Sequence, residues 1–511
     1  MIDRTLVKRG AYHDSVTLML VARQARALDG VVQAAAVAAT PVNLELLTRL
    51  GLQPGEVVSP DDLVVAVRAE SEAAAAAALA AIEAGLARRG QAPQRAGQAR
   101  PPRSLGAAAR RDPDLALALV SVPGRHAAYE VAAALDAGLH VFCFSDGVGV
   151  DQEVALKQAA VQRGLLLMGP DCGTAIIDGV GLGFANAVRR GPVGVVGASG
   201  TGTQAVTCLL DAAGVGISQA VGVGGRDLDA RVGGLMTRHA LGLLTADAGT
   251  QVLLLVSKPP DPRVAAGVAV AAAATGKPAV VAFPGLDPGA LPGPPRGVEL
   301  AGTLEQAAAR AAALAGATPA PQAGEPTPDA GRLPGTTPGA VRGLFAGGTL
   351  CAEAMALVAA AVGRVGSNQP LRPDWQVDPT GHDRGHVFID FGSDQLTEGR
   401  PHPMIDPALR AERFQRDAAD PAVGVILLDV VLGYGADPDP AATFAPLVER
   451  ALAARRGRLT VVVSLCGAAG DPQDLASQAA RLRQAGALVS RSNAAAARLA
   501  LAAAGLAGVR R

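Results

Sequence analysis

The amino-acid sequence predicts an α/β protein in which several doubly wound parallel-sheet domains follow a small N-terminal α+β domain. Short apolar runs rich in β-branched residues alternate with helix-like segments along most of the chain, which is typical of parallel strands covered by helices on both faces. Glycine-rich turns directly follow several of these runs. The length of 511 residues requires several domains, because single hydrophobic cores stop growing at about 250–300 residues.

Strands and helices are predicted in the same alternating order in three parts of the chain. The first part has strands at 115–124, 140–145 and 165–168, with helices at 127–138 and 151–164. The second has strands at 193–196, 216–224, 251–257 and 278–283, with helices at 203–214 and 303–316. The third repeats the strand, glycine turn and helix of the second at 343–362 and adds strands at 387–392, 424–435, 459–467 and 487–490.

These patterns predict the domain bounds. The small α+β domain, with its linker, covers residues 1–110, and its alanine run at 73–82 is a helix of high propensity. Residues 317–339 contain six prolines and no apolar periodicity, so we expect a linker there. The sheet domains then occupy the ranges 111–190, 191–316 and 340–511.

Composition excludes several classes of function. Lys+Arg and Asp+Glu are both 46, so the formal net charge is zero, and no overall field draws the chain to nucleic acid or to an acidic membrane. The five cysteines lie far apart without metal-ligand spacing, which predicts neither a metal site nor a disulfide framework. The N-terminus has no apolar signal segment, and no apolar run reaches the roughly 18–20 residues that span a bilayer. We therefore expect a cytoplasmic protein.

The glycine loop GASGTG at 197–202 is the first candidate site. It follows a strand and opens a helix, so its amides can point at a phosphate, and Ser199 and Thr201 add hydroxyl donors. Gly197, Gly200 and Gly202 supply the turn. The alternative is a tight βα turn without a ligand, but three glycines and two hydroxyls favour anion binding.

Further candidates follow other strands. Because ligands of open α/β sheets bind at the carboxyl ends of the strands, we predict substrate or phosphate binding by these residues: Asp171, Cys172, Gly173, Gly224, Gly225, Ser257, Lys258, Gly347, Gly348 and Thr349.

Two charged residues of the turn GVGGRD are predicted to take part in catalysis. Arg226 offers paired donors to a carboxylate or phosphate, and Asp227 could orient it or accept a proton. A surface Arg–Asp pair is the alternative. Cys172 is a reactive thiol only if a helix terminus lowers its pKa, and a small residue packed under a turn is the alternative there.

The loop GRPHPMIDP at 399–407 contains Arg400, predicted to bind substrate or phosphate, and His402, predicted to be catalytic. The ordinary pKa of histidine lies near neutrality, so His402 could serve as base or nucleophile. A histidine that anchors its own loop by hydrogen bonds is the alternative.

These motifs also resemble a known family. KRGAYHDSVTLM, MGPDCGTAIIDGVGLGFANAVRRGPVGVVGASGTGTQ, GVGGRDL, VSKPP, GGTLCAEA and GRPHPMIDP resemble the FdrA family from the first to the last domain. The segment from about residue 112 to residue 316 more distantly resembles the α subunit of succinyl-CoA synthetase, which belongs to the acyl-CoA synthetase superfamily. This second resemblance implies a Rossmann-type CoA-binding domain followed by flavodoxin-like ligase domains, and a loop at 199–202 that contacts CoA.

The resemblance also indicates what this chain lacks. The phosphorylated histidine of the ligases lies in a GHAGA-type sequence, where this chain has PGLDPGALPGPP, and no histidine occurs between His239 and His382. The ligases' supporting glutamate is expected where this chain has SKPP. Both departures argue against a ligase that works through phosphohistidine on this subunit.

The FdrA resemblance implies a subunit of an oxamate carbamoyltransferase in purine and allantoin catabolism. Such a subunit acts together with other subunits of a hetero-oligomeric complex. The complex converts oxalurate and phosphate to oxamate and carbamoyl phosphate, and a carbamate kinase then uses the carbamoyl phosphate. An acyl-CoA synthetase-like ligase and a non-catalytic regulatory subunit remain as alternatives. CoA or a phosphate-bearing nucleotide stays open as a cofactor.

Overall fold

The computed structural model describes residues 1–11, 13, 15–49, 51–56, 58–90, 102–287, 289, 291–317, 335–381, 384–397 and 400–507. By their contacts they fall into two units. One consists of Met1–Pro102 and Ser393–Asp406, and the other of Arg103–Gly392 and Pro407–Arg511. The predicted linker at 317–339, and most of the shorter one at 91–104, lie mainly outside the described residues.

The first unit contains a three-stranded antiparallel sheet in the order β1-β3-β2. The central strand is the most apolar and is buried on both faces. Helices α1 and α3 cover the sheet with an apolar core that includes Leu18, Val65 and Ile82. The elements are β1 (Ile2–Lys8), α1 (Ser15–Arg26), β2 (Val31–Ala38), α2 (Pro41–Arg49), β3 (Leu63–Ala69), α3 (Glu72–Gly90) and α12 (Asp394–Thr397). This confirms the small α+β domain predicted for this end of the chain.

The second unit begins with a small parallel sheet in the order β4-β5-β6. Its helices end where predicted, because Gly138 and Gly164 adopt positive φ at their C-termini. The elements are α4 (Leu105–Arg111), β4 (Leu117–Val120), α5 (Gly124–Asp136), β5 (His140–Cys143), α6 (Val150–Gln162) and β6 (Leu167–Met168).

A seven-stranded sheet follows, in the order β13-β12-β11-β9-β10-β7-β8. Five strands are parallel and show the 2-1-3-4-5 order of flavodoxin-like folds, with β9 as the first strand. The elements are β7 (Thr174–Ile177), β8 (Val180–Gly183), β9 (Arg190–Ala198), α7 (Gly200–Ala212), β10 (Ile217–Gly222), α8 (Leu235–Ala246), β11 (Val252–Ser257), α9 (Pro262–Ala274), β12 (Ala279–Ala282), β13 (Val298–Ala301) and α10 (Leu304–Leu314). The antiparallel pair β7 and β8 extends this sheet, although both strands precede the predicted boundary at residue 191.

The last sheet has six parallel strands in the order β15-β16-β14-β17-β18-β19. Its first strand, β14, lies inside the sheet and leads into a long helix, as β9 does in the preceding sheet. The elements are β14 (Ala340–Phe345), α11 (Gly348–Val362), β15 (Gly366–Ser367), β16 (Val387–Asp390), α13 (Ala408–Ala419), β17 (Val423–Val431), α14 (Pro440–Arg455), β18 (Thr460–Cys466), α15 (Leu475–Gln484), β19 (Leu488–Ser490) and α16 (Asn493–Ala503). The predicted α/β fold class is therefore confirmed.

A buried polar network joins the two large sheets. Asn186 donates from Nδ2 to Asp471 at 2.7 Å and to the carbonyl of Leu432 at 2.9 Å. The side-chain Oδ1 of Asn186 accepts from Nε2 of Gln204, in α7, at 3.0 Å. Buried polar groups are costly unless they are hydrogen-bonded, so this network specifies one arrangement of the two sheets.

Glu353 of α11 makes a second buried junction. Its carboxylate accepts from the amide of Leu304, the first residue of α10, at 2.6 Å and from Nδ2 of Asn493 in α16 at 2.7 Å. Burial raises the pKa of Glu353 to about 7 from its ordinary 4.5. The side chain therefore titrates near neutrality while it connects three helices.

We predict that Glu353 makes the folded chain less stable as the pH rises from about 5 to 7. The unfolded chain has already released this proton in that range while the folded chain keeps it, so the stability contributed by the protonated form is lost, by about 3 kcal/mol. Thermal unfolding midpoints of the wild type and Glu353→Gln should diverge across this range. The idea is wrong if the two curves stay parallel.

Candidate functional site

The N-termini of α7 and α11 meet directly. Ser199, the N-cap of α7, lies with its Oγ 2.6 Å from Oγ1 of Thr349, in the first turn of α11. In the reciprocal position Gly347, the residue before α11, faces Thr201: a Cβ on this glycine would lie 2.4 Å from the Thr201 Oγ1. Each helix thus places its cap residue against the threonine of the other, in a pseudo-twofold arrangement.

This junction offers several backbone donors to one ligand. Ser199 Oγ accepts from the amide of Gly202 at 2.9 Å, whereas the amides of Gly200 and Thr201 have no acceptor within the described ranges. The first amides of any helix lack an acceptor inside the helix, and each N-terminus has a partial positive charge of about half an elementary charge. Gly200 and Gly348 are partly exposed. The junction is therefore a candidate anion site formed by two helix termini.

A buried ion pair holds the turn before α11. Asp429 accepts from the amides of Ala346 at 2.8 Å and Gly347 at 3.0 Å, and it pairs with Arg410 at 2.8 Å. Burial raises the pKa of Asp429 and lowers that of Arg410. The single aspartate inside the apolar strand VGVILLDVV is the sequence signal of this pair, but Asp429 is not among the predicted site residues.

Asp390 is a further carboxylate beside α11 that the sequence analysis missed. It ends β16, is 7% exposed, and its Oδ2 lies 2.7 Å from where a Cβ on Gly348 would be. Only glycine at 348 leaves room for this carboxylate. Its position next to a helix N-terminus is electrostatically favourable.

Three of the predicted loops lie side by side at this sheet edge. Gly173 borders the anion site, since a Cβ on Gly200 would be 3.8 Å from the Gly173 Cα. Further along the same edge, a Cβ on Gly225 would lie 3.0 Å from Oδ2 of Asp171 and 3.4 Å from Nζ of Lys258. The missing side chain of Gly225 thus leaves a small cradle between an exposed carboxylate and an exposed ammonium group.

Other predicted residues form the frame behind these loops. Gly224 packs against the backbone of Pro170, and Gly197 packs under Thr203, so neither leaves space for a Cβ. Ser257 is 2% exposed at the end of β11. Cys172 is also 2% exposed, and burial raises the pKa of its thiol to about 12, which keeps it protonated at neutral pH and favours the packing interpretation.

Asp227 and Arg226 are held by buried charges. Asp227 is completely buried; it accepts from Nζ of Lys157 at 2.7 Å and from the amide and hydroxyl of Thr237 at 2.9 and 2.7 Å. Arg226 donates from Nε to Glu153 at 3.0 Å, and its side chain remains 35% exposed. This geometry favours a positioning role for Asp227, whereas Arg226 can reach a ligand.

Arg400 and His402 belong to the first unit, with residues 1–102, rather than to the domain in which the sequence analysis placed them. Nδ1 of His402 accepts from the amide of Met404 at 3.2 Å, and its carbonyl accepts from the amides of Ile405 and Asp406 at 2.8 and 3.1 Å. These bonds are those of a loop anchor. The catalytic role of His402 and the binding role of Arg400 stay predictions.

Three family profiles match the chain. Residues 1–102 match the heavy metal-associated domain of AllF, residues 188–285 match the CoA binding domain, and residues 344–503 match CoA-ligase. Residues 1–102 contain no cysteine, so thiolate metal ligands are not available within that match. No helix among the described residues is both long and apolar enough to cross a bilayer.

Relatives among curated proteins agree with these profiles. Uncharacterized protein YahF of Escherichia coli strain K12 is 39% identical over 503 residues, which cover 96% of this chain and 97% of YahF. The succinate–CoA ligase [ADP-forming] subunit alpha of Aquifex aeolicus is 32% identical over 146 residues, covering 27% of this chain and 47% of the subunit. This chain therefore spans about half the length of that ligase subunit.

One solved structure with similar elements is the dinucleotide forming acetyl-coenzyme A synthetase 1 of Ca. Korarchaeum cryptofilum in complex with phosphate and ADP. It is 16% identical, covers 81% of this chain and 87% of its own, and superposes with a TM-score of 0.31.

The profiles and sheets define an acyl-CoA synthetase-like fold, with regions that match the CoA-binding and CoA-ligase domains. Because YahF matches along nearly the whole chain, the protein belongs to the FdrA family, whose middle part is like the α subunit of succinyl-CoA synthetase. The resemblance found from the sequence is thereby confirmed.

We predict that Gly347→Ala weakens phosphate binding at least tenfold, because the new Cβ would force Thr201, and with it α7, away from α11. Isothermal titration with inorganic phosphate measures the change. Gly242→Ala in α8, where a Cβ meets nothing within 4 Å, is the matched control and should bind like the wild type. Equal affinity of both variants would contradict the site.

We predict that Arg410→Met lowers the free energy of unfolding by about 3–5 kcal/mol, because it leaves the buried Asp429 carboxyl group without its ion-pair partner. In the double variant with Asp429→Asn, the loss should be smaller than the sum of the two single losses. Thermal denaturation of the four proteins measures this coupling. Additive losses would show that the pair does not act as a unit.

Proposed function

We propose that this chain is the phosphate- and substrate-binding subunit of an oxamate carbamoyltransferase-type enzyme in purine and allantoin catabolism. The reaction is the phosphorolysis of oxalurate to oxamate and carbamoyl phosphate. The observation on which the proposal depends is the anion site between α7 and α11, lined by Ser199, Thr201 and Thr349. The AllF match of residues 1–102 supports the same family assignment.

In this proposal inorganic phosphate binds between the two helix termini. The donors of the site are amides and hydroxyls, which can bind a tetrahedral dianion, and the Asp390 carboxylate lies beside Gly348 at its edge. A phosphate oxygen attacks the carbamoyl carbon of oxalurate and forms the C–O bond of carbamoyl phosphate. The C–N bond to oxamate breaks, and the proton of the attacking hydrogen phosphate passes to the oxamate nitrogen, so atoms and charge balance.

The tetrahedral intermediate of this step develops negative charge on the former carbamoyl oxygen. Preset donors stabilise such an oxyanion without reorganisation. The amide of Gly200 is one candidate donor, because Gly200 is partly exposed at the junction of the two helices and lies beside the Gly173 loop. No covalent intermediate on the protein is required.

The sequence after β12 supports a free phosphate as the substrate. Residues 284–295 read PGLDPGALPGPP, without the histidine that the synthetase family phosphorylates, and Lys258 follows β11 where that family has its supporting glutamate. A histidine-free site that keeps its anion-binding helix termini fits direct use of phosphate better than transfer from ATP.

The CoA-binding and CoA-ligase matches favour a second candidate, a ligase of the acyl-CoA synthetase type. In that case the amides of Gly200 and Thr201 and the cradle at Gly225 and Lys258 would hold phosphate groups of CoA or a nucleotide. CoA would supply a thiol as the acyl acceptor.

We expect the chain, purified together with its partner subunits, to release carbamoyl phosphate from oxalurate and phosphate. The rate should fall at least tenfold with Thr201→Val, because this change removes a hydroxyl donor from the anion site. A coupled assay with carbamate kinase measures the product as ATP. Thr245→Val, in a helix away from the sheet edge, is the control.

Two outcomes would contradict the proposal. One is no carbamoyl phosphate from the complete complex. The other outcome consists of two results found together. A histidine carries an acid-labile label after incubation with γ-labelled ATP, and the protein turns over a carboxylic acid in a CoA-dependent reaction. The latter pair of results would establish the ligase instead.

A further inference from the structure

Lys157 of α6 is buried among opposite charges. It is 0% exposed, donates to the carbonyl of Val223 at 2.9 Å and to Oδ1 of Asp227 at 2.7 Å, and forms an ion pair with Oε1 of Glu153 at 2.8 Å. Glu153 and Asp227 are also 0% exposed. One ammonium group thus ties α6 to both ends of the turn that contains Gly224, Gly225 and Arg226.

Asp227 fixes the far side of the same turn. Besides Lys157, its carboxylate accepts from the amides of Met236 and Thr237, at 3.2 and 2.9 Å, in the first turn of α8. A carboxylate at this position satisfies amides that have no acceptor within the helix. The turn is therefore held between the body of α6 and the N-terminus of α8.

Glu153 holds Arg226 from the opposite side. Its Oε2 lies 3.0 Å from Nε and 2.9 Å from Nη2 of Arg226, and Nη2 also donates to the carbonyl of Val148 at 2.7 Å. Nη1 meets no acceptor in the described part of the chain. The guanidinium of Arg226 is thus held through Nε and Nη2. The side chain as a whole is 35% exposed, and Nη1 remains available to a ligand.

Burying several charges is not an economical way to stabilise a fold. The desolvation of each ion offsets most of the Coulomb attraction, and apolar replacements of such clusters are often neutral or stabilising. What the cluster does supply is geometry, because Arg226 loses little further freedom when a ligand arrives. A fixed, half-exposed cation beside a glycine turn at the ligand edge of the sheet points to a binding role.

We infer that Glu153, Lys157 and Asp227 form a positioning array that directs Nη1 of Arg226 toward the carboxylate of the carbamoyl donor. This inference rests on the proposed function, in which phosphate occupies the junction of α7 and α11. Oxalurate and oxamate are the remaining anions of that reaction, and each has a carboxylate that needs a separate partner. Gly222 pairs with Gly197 in register, so the turn with Arg226 and the glycine loop before α7 leave neighbouring strands at one edge. Arg226 contacts substrate, and the three buried residues act through it.

The test is the binding of oxamate to the full chain by isothermal titration, together with oxalurate turnover by the reconstituted complex. Glu153→Gln removes the carboxylate that pairs with both Arg226 and Lys157. It keeps the Lys157–Asp227 pair and a side-chain carbonyl at position 153, so it should fold. We expect Glu153→Gln and Arg226→Lys each to weaken oxamate binding about tenfold and to raise the KM for oxalurate equally, with kcat changed less than about twofold.

Arg231→Ala is the matched control, because Arg231 forms an exposed pair with Asp151 on the same helix α6. It should leave oxamate affinity and KM unchanged. Unchanged affinity in Glu153→Gln and Arg226→Lys, a lowered kcat at constant KM, or a wild-type chain that does not bind oxamate overturns the inference. Oxamate binding that shows the expected pattern in a complex without oxalurate phosphorolysis supports the inference and refutes the proposed function.

Discussion

The N-termini of α7 and α11 contact each other through Ser199 and Thr349, at the edge of the sheets where the candidate site lies. Two helix ends of the same partial charge repel each other when they meet, so their approach needs a compensating negative group. The hydroxyls of Ser199 and Thr349 share one hydrogen bond across the junction, which joins the helices but adds no net charge. Asp390 and Asp429 supply negative charge at the N-terminus of α11. We propose that a bound anion supplies it at the N-terminus of α7, where the amides of Gly200 and Thr201 have no acceptor among the described residues.

Much of the buried polarity of the second unit keeps these two helix ends in register. Asp429 and Arg410 hold the turn before α11, and the network of Asn186, Gln204 and Asp471 joins α7 to the last sheet. Each of these side chains makes at least one buried hydrogen bond, although Nε of Arg410 and Oε1 of Gln204 have no partner among the described residues. Such interactions add little net stability, but they specify one arrangement.

Several residues of the candidate site were predicted from the sequence, but their assembly was not. Apolar runs and the glycines that end helices located most strands and helices. GASGTG indicated an anion loop because its glycines allow a tight turn and its amides and hydroxyls can donate to a phosphate. The meeting of Ser199 with Thr349 joins residues 150 positions apart, and no local pattern specifies a contact at that distance. Lys157 and Glu153 were overlooked for a different reason: on an amphipathic helix, charged residues normally face solvent, and only the packed structure shows them inside.

The most direct test is a crystal of the chain soaked with inorganic phosphate and examined by difference density. We expect a tetrahedral peak between the first turns of α7 and α11, within hydrogen-bond distance of the amides of Gly200 and Gly348. Density for phosphate only at other loops, with Ser199 and Thr349 still in direct contact and nothing bound beside them, would contradict it.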